Sequence, residues 1–177
     1  MISYFIERRI KAFLRRNTAR RQYPVLVGCA ALAATLSMSL PFASLLVPAV
    51  LLRRDRWARI AFFAGAGSAL GGALLYLLFH HLGWARFEAA YPALVAAPVW
   101  HDSARGLGQY GTRALLVIAA SPLPSTPAIA IAALGTLELP EVFAALWLGK
   151  SLKYLLYAWL VSRFPDYFST LARRTLK

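Results

Sequence analysis

A single cysteine, Cys29, is all the thiol chemistry this 177-residue chain can offer. It has no Cys or His neighbour at metal-ligand spacing, so neither an internal disulfide nor a thiolate metal centre is supported; a small packing side chain is the expected role. Acidic residues are scarce too, with seven Asp and Glu against twenty Lys and Arg and a net charge of +13. None of the seven falls within an apolar run, and no two are placed as paired carboxylates for acid–base work. His80, His81 and His101 lack suitably spaced partners, which leaves no metal site. No glycine-rich phosphate loop and no nucleophile elbow is present. The chain therefore does not read as an enzyme, and it calls for no cofactor. Residues 1–22 carry Arg8, Arg9, Lys11, Arg15, Arg16, Arg20 and Arg21 with no apolar core between them, unlike a cleavable signal peptide.

What the chain has is apolar length. Hydrophobic residues make up 59% of it, the mean hydropathy is +0.55, and the apolar residues come in long runs. These runs cover 24–52, 60–79, 114–137 and 142–161, the length scale of membrane segments. The basic residues flank the runs, which favours an anionic membrane surface over nucleic acid as the reason for the charge. Tyr4, Phe5, Ile6, Ile10, Phe13 and Leu14 form a stripe at near-helical spacing, so residues 1–23 read as a basic amphipathic helix on the membrane surface. A frayed basic tail is the plainer alternative.

The positive-inside rule constrains the path of the chain. If the basic residues of 1–23 and Arg53, Arg54, Arg56 and Arg59 are both cytoplasmic, the run 24–52 enters and leaves by one face. A re-entrant hairpin turning near Pro41 does this; a continuous helix does not. The run 60–79 then crosses outward, and a mostly polar connection follows from His80 to Arg113. The stretch 110–138 forms a second hairpin, and 140–161 crosses back to a basic tail, 163–177. Four plain spans with proline kinks would instead place Arg53–Arg59 outside. The two halves correspond, each with a proline turn, an apolar stretch, a short link and a span carrying a glycine–serine element. Because they start on opposite sides, they form an inverted repeat, a transporter signature.

The second turn is SPLPSTP, residues 121–127. Pro122 and Pro124 end the descending half-helix, because proline lacks an N–H donor and forces the preceding residue out of helical geometry. Thr126 followed by Pro127 reads as a restart, with Thr126 at the N-cap. Ser121, Ser125 and Thr126 can satisfy backbone groups that such a break exposes. A kinked structural helix is the alternative. Lys150 and Lys153 fall near the centre of an otherwise apolar span, where a cation costs roughly 2.5–3.5 kcal/mol. With Tyr154 and Tyr157 they share one helical face. Their partners are either backbone carbonyls at broken helix ends or an anion such as lipid phosphate. Gly67 and Gly71 form a GxxxG pair expected to serve helix packing.

The stretch from Tyr110 to Leu160 resembles the second half of the VTT (SNARE-associated) domain of the DedA family, and especially its short YqaA-like members. The matching residues are Tyr110, Gly111, Pro122, Pro124, Gly135, Phe143, Gly149, Lys150, Lys153 and Tyr154. Residues from about 36 to 83 are more weakly similar to the domain's first half. The resemblance implies two re-entrant hairpins in inverted repeat and a role in moving lipids such as undecaprenyl phosphate or phosphatidylethanolamine, with links to envelope integrity and proton coupling. The chain departs from larger members at the first turn, which has no acid, at Gly72, where they carry an acid, and at Ser121 and Pro127, where they carry arginines. Proton coupling is left without those carboxylates.

The resulting expectation is an all-α polytopic protein of the bacterial inner membrane with both termini cytoplasmic. It would translocate a phospholipid or polyprenyl phosphate as a flippase or scramblase. Lys150, Lys153, Tyr154, Ser121, Ser125 and Thr126 would line the site, and Pro41, Pro122, Pro124 and Pro127 would shape the turns. Its partner is an anionic-headgroup lipid, without nucleic acid, and self-association is compatible with this reading. The alternatives are a non-transporting scaffold for envelope maintenance and a transporter of small ions or solutes.

Overall fold

The computed structural model describes residues 16–37, 42–90, 92, 98–135 and 137–168. The expected N-terminal helix over 1–15, the turn at Pro41 and the tail beyond 168 lie outside them. The described residues form eight α-helices: α1 (Tyr23–Leu36), α2 (Phe42–Leu52), α3 (Trp57–Leu82), α4 (Trp84–Ala90), α5 (Pro98–Tyr110), α6 (Thr112–Ala120), α7 (Thr126–Leu134) and α8 (Leu139–Arg163). A 3-10 turn at Arg54–Arg56 joins α2 to α3. The fold is all-α, and α3 alone among the described helices is long and apolar enough to cross a membrane.

The chain divides into two compact units, Met1–Ser68 with Ser151–Lys177, and Ala69–Lys150. Each unit takes a pair of short helices and one half of each long helix, α3 and α8, and the second unit also holds α4 and α5.

In the first unit α1 opens with Pro24 in its first turn, where the missing N–H costs nothing. Its 14 residues span about 21 Å and the 11 of α2 about 16 Å, each short of a bilayer core of about 30 Å. The two helices pack together, and the Tyr23 hydroxyl donates to the Ala49 carbonyl at 3.2 Å. Basic side chains close the base of the pair. Arg53 Nη1 donates to the Thr18 carbonyl at 2.9 Å, and Arg56 Nη1 to the Arg21 carbonyl at 3.3 Å. The apolar run thus ends where it began. The pair buries Val27, Leu46 and Val50 with Ile60 of α3 and Val161 of α8. Cys29 is exposed on α1 rather than packed inside.

The second unit repeats this plan with shorter pieces. Helices α6 and α7 have nine residues each, about 13 Å. Thr112 Oγ1, at the start of α6, donates to Glu141 Oε2 in the first turn of α8 at 3.0 Å. The connection read as mostly polar contains the 13-residue helix α5, which packs against α6 and α7 and buries Ser103 and Leu107 four residues apart. Gly111 ends α5 and precedes α6 at φ 54°, left-handed backbone in which any side chain would be strained. Gly83, at φ 72°, ends α3 in the same way.

The long helices carry exposed apolar stripes at roughly four-residue spacing. On α3 these are Phe62, Leu70, Leu74 and Leu78, and on α8 Leu148, Leu152, Leu156 and Trp159. Each of these side chains is 47–60% exposed.

Candidate functional site

The SPLPSTP segment breaks the chain between Ala120 and Thr126. Ser121 is extended, at ψ 166°, the conformation demanded of a residue before proline. Its hydroxyl bonds on both sides of the break. It donates to the Ile118 carbonyl at 2.8 Å and accepts the Leu123 N–H at 3.2 Å. A hydroxyl doing both satisfies backbone groups that the prolines release. The restart lies one residue earlier than the sequence suggests. Ser125 is the N-cap, without a side-chain cap bond, and Thr126 is the first helical residue. Pro122 and Pro124 are exposed, Ser125 and Thr126 half-buried, and Pro127 buried at the head of α7.

Lys150 belongs to this same unit and is only 4% exposed. A Cβ built at Gly72 would lie 3.6 Å from its Nζ and 2.8 Å from Leu146 Cδ1. A side chain at position 72 would therefore crowd Leu146 and stand in ordinary contact with the lysine tip. Gly149, one residue earlier, sits tight on α6. A Cβ there would meet the Leu116 carbonyl oxygen at 2.7 Å and the Ala120 nitrogen at 3.0 Å.

Lys153 and Tyr154 belong to the other unit and are 6% and 5% exposed. Tyr154 hydrogen-bonds with Ser68, whose Oγ lies 2.8 Å from Thr35 Oγ1. Thr35 also donates to the Ala31 carbonyl at 2.9 Å. Thr35 and Tyr154 line a cavity of about 30 Å³ with Ala31, Ala34, Leu45, Leu46 and Ala64. This is room for about one water molecule among hydroxyls that can hold it. Sequence reading named Tyr154 but missed Thr35 and Ser68. Their only signal is a hydroxyl within a run of alanine, glycine and leucine, and nothing in the sequence pairs residues 33 apart.

Gly67 is placed by contact with α1. A Cβ there would run into the Gly28 backbone, and one at Gly28 would lie 2.7 Å from the Phe63 carbonyl oxygen. Gly67 and Gly149 thus act alike, each letting a long helix approach the first short helix of its unit's pair. Gly71 is buried on α3.

The Tyr76 hydroxyl donates to the Leu137 carbonyl at 2.6 Å, and His80 Nδ1 lies 2.9 Å from the Ala133 carbonyl. Two side chains of α3 thereby hold the end of α7 and the link beyond it. Among the described residues no cluster of three His, Cys, Asp or Glu side chains could hold a metal ion.

No protein family, no curated protein and no solved structure matches this chain.

Proposed function

We propose that this chain is a polytopic membrane protein of DedA type, with two re-entrant helix pairs in inverted repeat. It carries a lipid with an anionic head group, a phospholipid or a polyprenyl phosphate, across a bacterial inner membrane. The observation that carries this reading is the burial of Lys150, at 4% exposure, on a long helix beside a broken helix pair. Ionisable groups at such depth mark substrate pathways because their insertion is costly and chance does not retain them.

Three further features support the reading. The apolar stripes on α3 and α8 expose large side chains along whole helices, as a lipid-facing surface requires. The helices of both short pairs are too short to span, and the first pair is closed at its base, so each reads as a half-depth re-entry. The matching uses of Gly67 and Gly149, each at the crossing of a long helix with a short one, are what a duplicated element produces.

In this mechanism Lys150 draws the lipid phosphate toward the unit that holds SPLPSTP. Ser121, Ser125 and Thr126 offer hydroxyls along the seam, and the first amides of α7 add a positive helix end. On the other unit Tyr154, Thr35 and Ser68 form a polar cluster of their own, with Lys153 buried on the same helix as Tyr154. The phosphate meets fixed donors while its acyl chains remain in the bilayer.

Lipid translocation in proteoliposomes tests the proposal, using fluorescent phospholipid and polyprenyl phosphate in parallel. The intact protein should move at least one of them faster than empty liposomes, and Lys150→Ala should remove most of that movement. Folded intact protein indistinguishable from empty liposomes would overturn transport in favour of a scaffold.

A further inference from the structure

The first unit carries a concentration of positive charge that the proposed transport path does not use. Arg20, Arg21, Arg54 and Arg59 are exposed. Two further arginines gather these segments together. Arg53 grips Asp55 through two bonds, Nε to Oδ1 at 2.9 Å and Nη2 to Oδ2 at 2.7 Å, and uses its remaining arm on the Thr18 carbonyl at 2.9 Å. Arg56 reaches the Arg20 and Arg21 carbonyls at 3.5 and 3.3 Å and lies 3.5 Å from Asp55. Arg53 and Arg56 thus bind backbone across more than thirty residues of sequence and bring 20–21 beside 54–56. Among the described residues of segments 20–21 and 53–59, six guanidinium groups accompany one carboxylate, Asp55, already held by Arg53 and Arg56. Like charges brought together repel, and anions from outside relieve that repulsion.

We infer that this arginine collar is a binding surface for anionic phospholipid head groups at the bilayer interface. The inference rests on the membrane placement proposed above but not on transport. Apolar side chains on the adjoining helices point to a bilayer rather than nucleic acid. Val25 lies just after the first basic segment, Leu52 just before Arg53, and Phe62 and Phe63 one turn beyond Arg59, all 37–48% exposed. Guanidinium groups beside exposed hydrocarbon fit a phosphate head group over acyl chains. The Arg53 clasp preorganises the two segments as one face.

The test titrates the full chain in neutral detergent with short-chain phosphatidylglycerol and phosphatidylcholine. Phosphatidylglycerol should bind at least tenfold more tightly at low salt, and 1 M salt should remove the difference. Each Arg→Gln change at 20, 21, 54 or 59 should weaken it about fivefold, the effect of one arginine near a charged surface. The quadruple variant should show no preference, and its exposed positions leave the fold intact. Arg53→Gln should lower the preference although all four exposed arginines remain. Arg113→Gln, at an exposed arginine of the other unit, should leave it unchanged, which separates the collar from net charge alone. Equal binding of the two lipids, or a preference that survives the quadruple change, overturns the proposal. So does equally tight binding of glycerophosphate or a duplex oligonucleotide through the same arginines.

Discussion

Replacing Gly67 by alanine adds one methyl group at the closest helix crossing of the first unit. That methyl would be driven into the Gly28 backbone, with Gly28 Cα 3.1 Å away and the carbonyl nearer still. Backbone has no rotamer by which to give way, so α1 and α3 must separate. Overpacking of this kind costs about 1–3 kcal/mol, and a backbone obstacle puts it at the upper end. Alanine is the better helix former by about 1 kcal/mol, which offsets part of the loss. The net expectation is a destabilisation of about 2 kcal/mol, or a fall in Tm of about 4–8 °C for a chain of this size. Gly108→Ala in α5 is the matched control, since a Cβ there meets nothing within 4 Å. It should raise Tm by about 2–4 °C through propensity alone. Thermal unfolding in detergent, followed by tryptophan fluorescence, reads both variants. Unchanged stability of Gly67→Ala would refute the proposed crossing, and loss of stability in Gly108→Ala would refute the control's premise.

Three other perturbations give separate readings. Asp55 is held down to about 2, first by its hydrogen bonds from Arg53. Its folded value lies below the unfolded one, so the clasp contributes stability above about pH 4 that is lost as pH falls toward 2. Hydrogen exchange of residues 16–22 should rise across that window and be insensitive to it in Asp55→Asn. Tyr76→Phe removes the bond to the Leu137 carbonyl and should cost about 1 kcal/mol in chemical denaturation, with Phe preserving the ring packing. Leu152→Glu places a carboxylate on the exposed stripe of α8. It should leave stability in detergent nearly unchanged but reduce membrane insertion, consistent with a cost of about 2.5–3.5 kcal/mol at mid-depth.

How much of this was legible depends on the kind of residue involved. The interruption at 121–125 follows from prolines that the sequence displays, and Ser121 takes the conformation its following proline imposes. The return of the first apolar run to its start is signalled by charge, with basic clusters at both its ends, and Arg53 and Arg56 donate to the carbonyls of Thr18, Arg20 and Arg21. Helix α5 was not legible, because its interior carries Gly106 and Gly108 and one of its buried positions is Ser103, so hydropathy reads it as a polar connection. The partner of Gly67 was also hidden. A small-residue motif shows that something approaches closely, but only the fold identifies Gly28. The link from Thr35 through Ser68 to Tyr154 joins three distant segments by hydroxyls, and no local pattern announces such a network.

The re-entry of both short-helix pairs is the claim on which the rest depends, and sidedness tests it most directly. Single cysteines at Ala19, Arg54, Arg113 and Glu138, in a Cys29→Ser background, would be labelled with an impermeant maleimide from either side of sealed vesicles. The account predicts that 19 and 54 label from the cytoplasmic face, and 113 and 138 from the opposite face. Labelling of 19 and 54 from opposite faces would make the first run a full span and contradict the account.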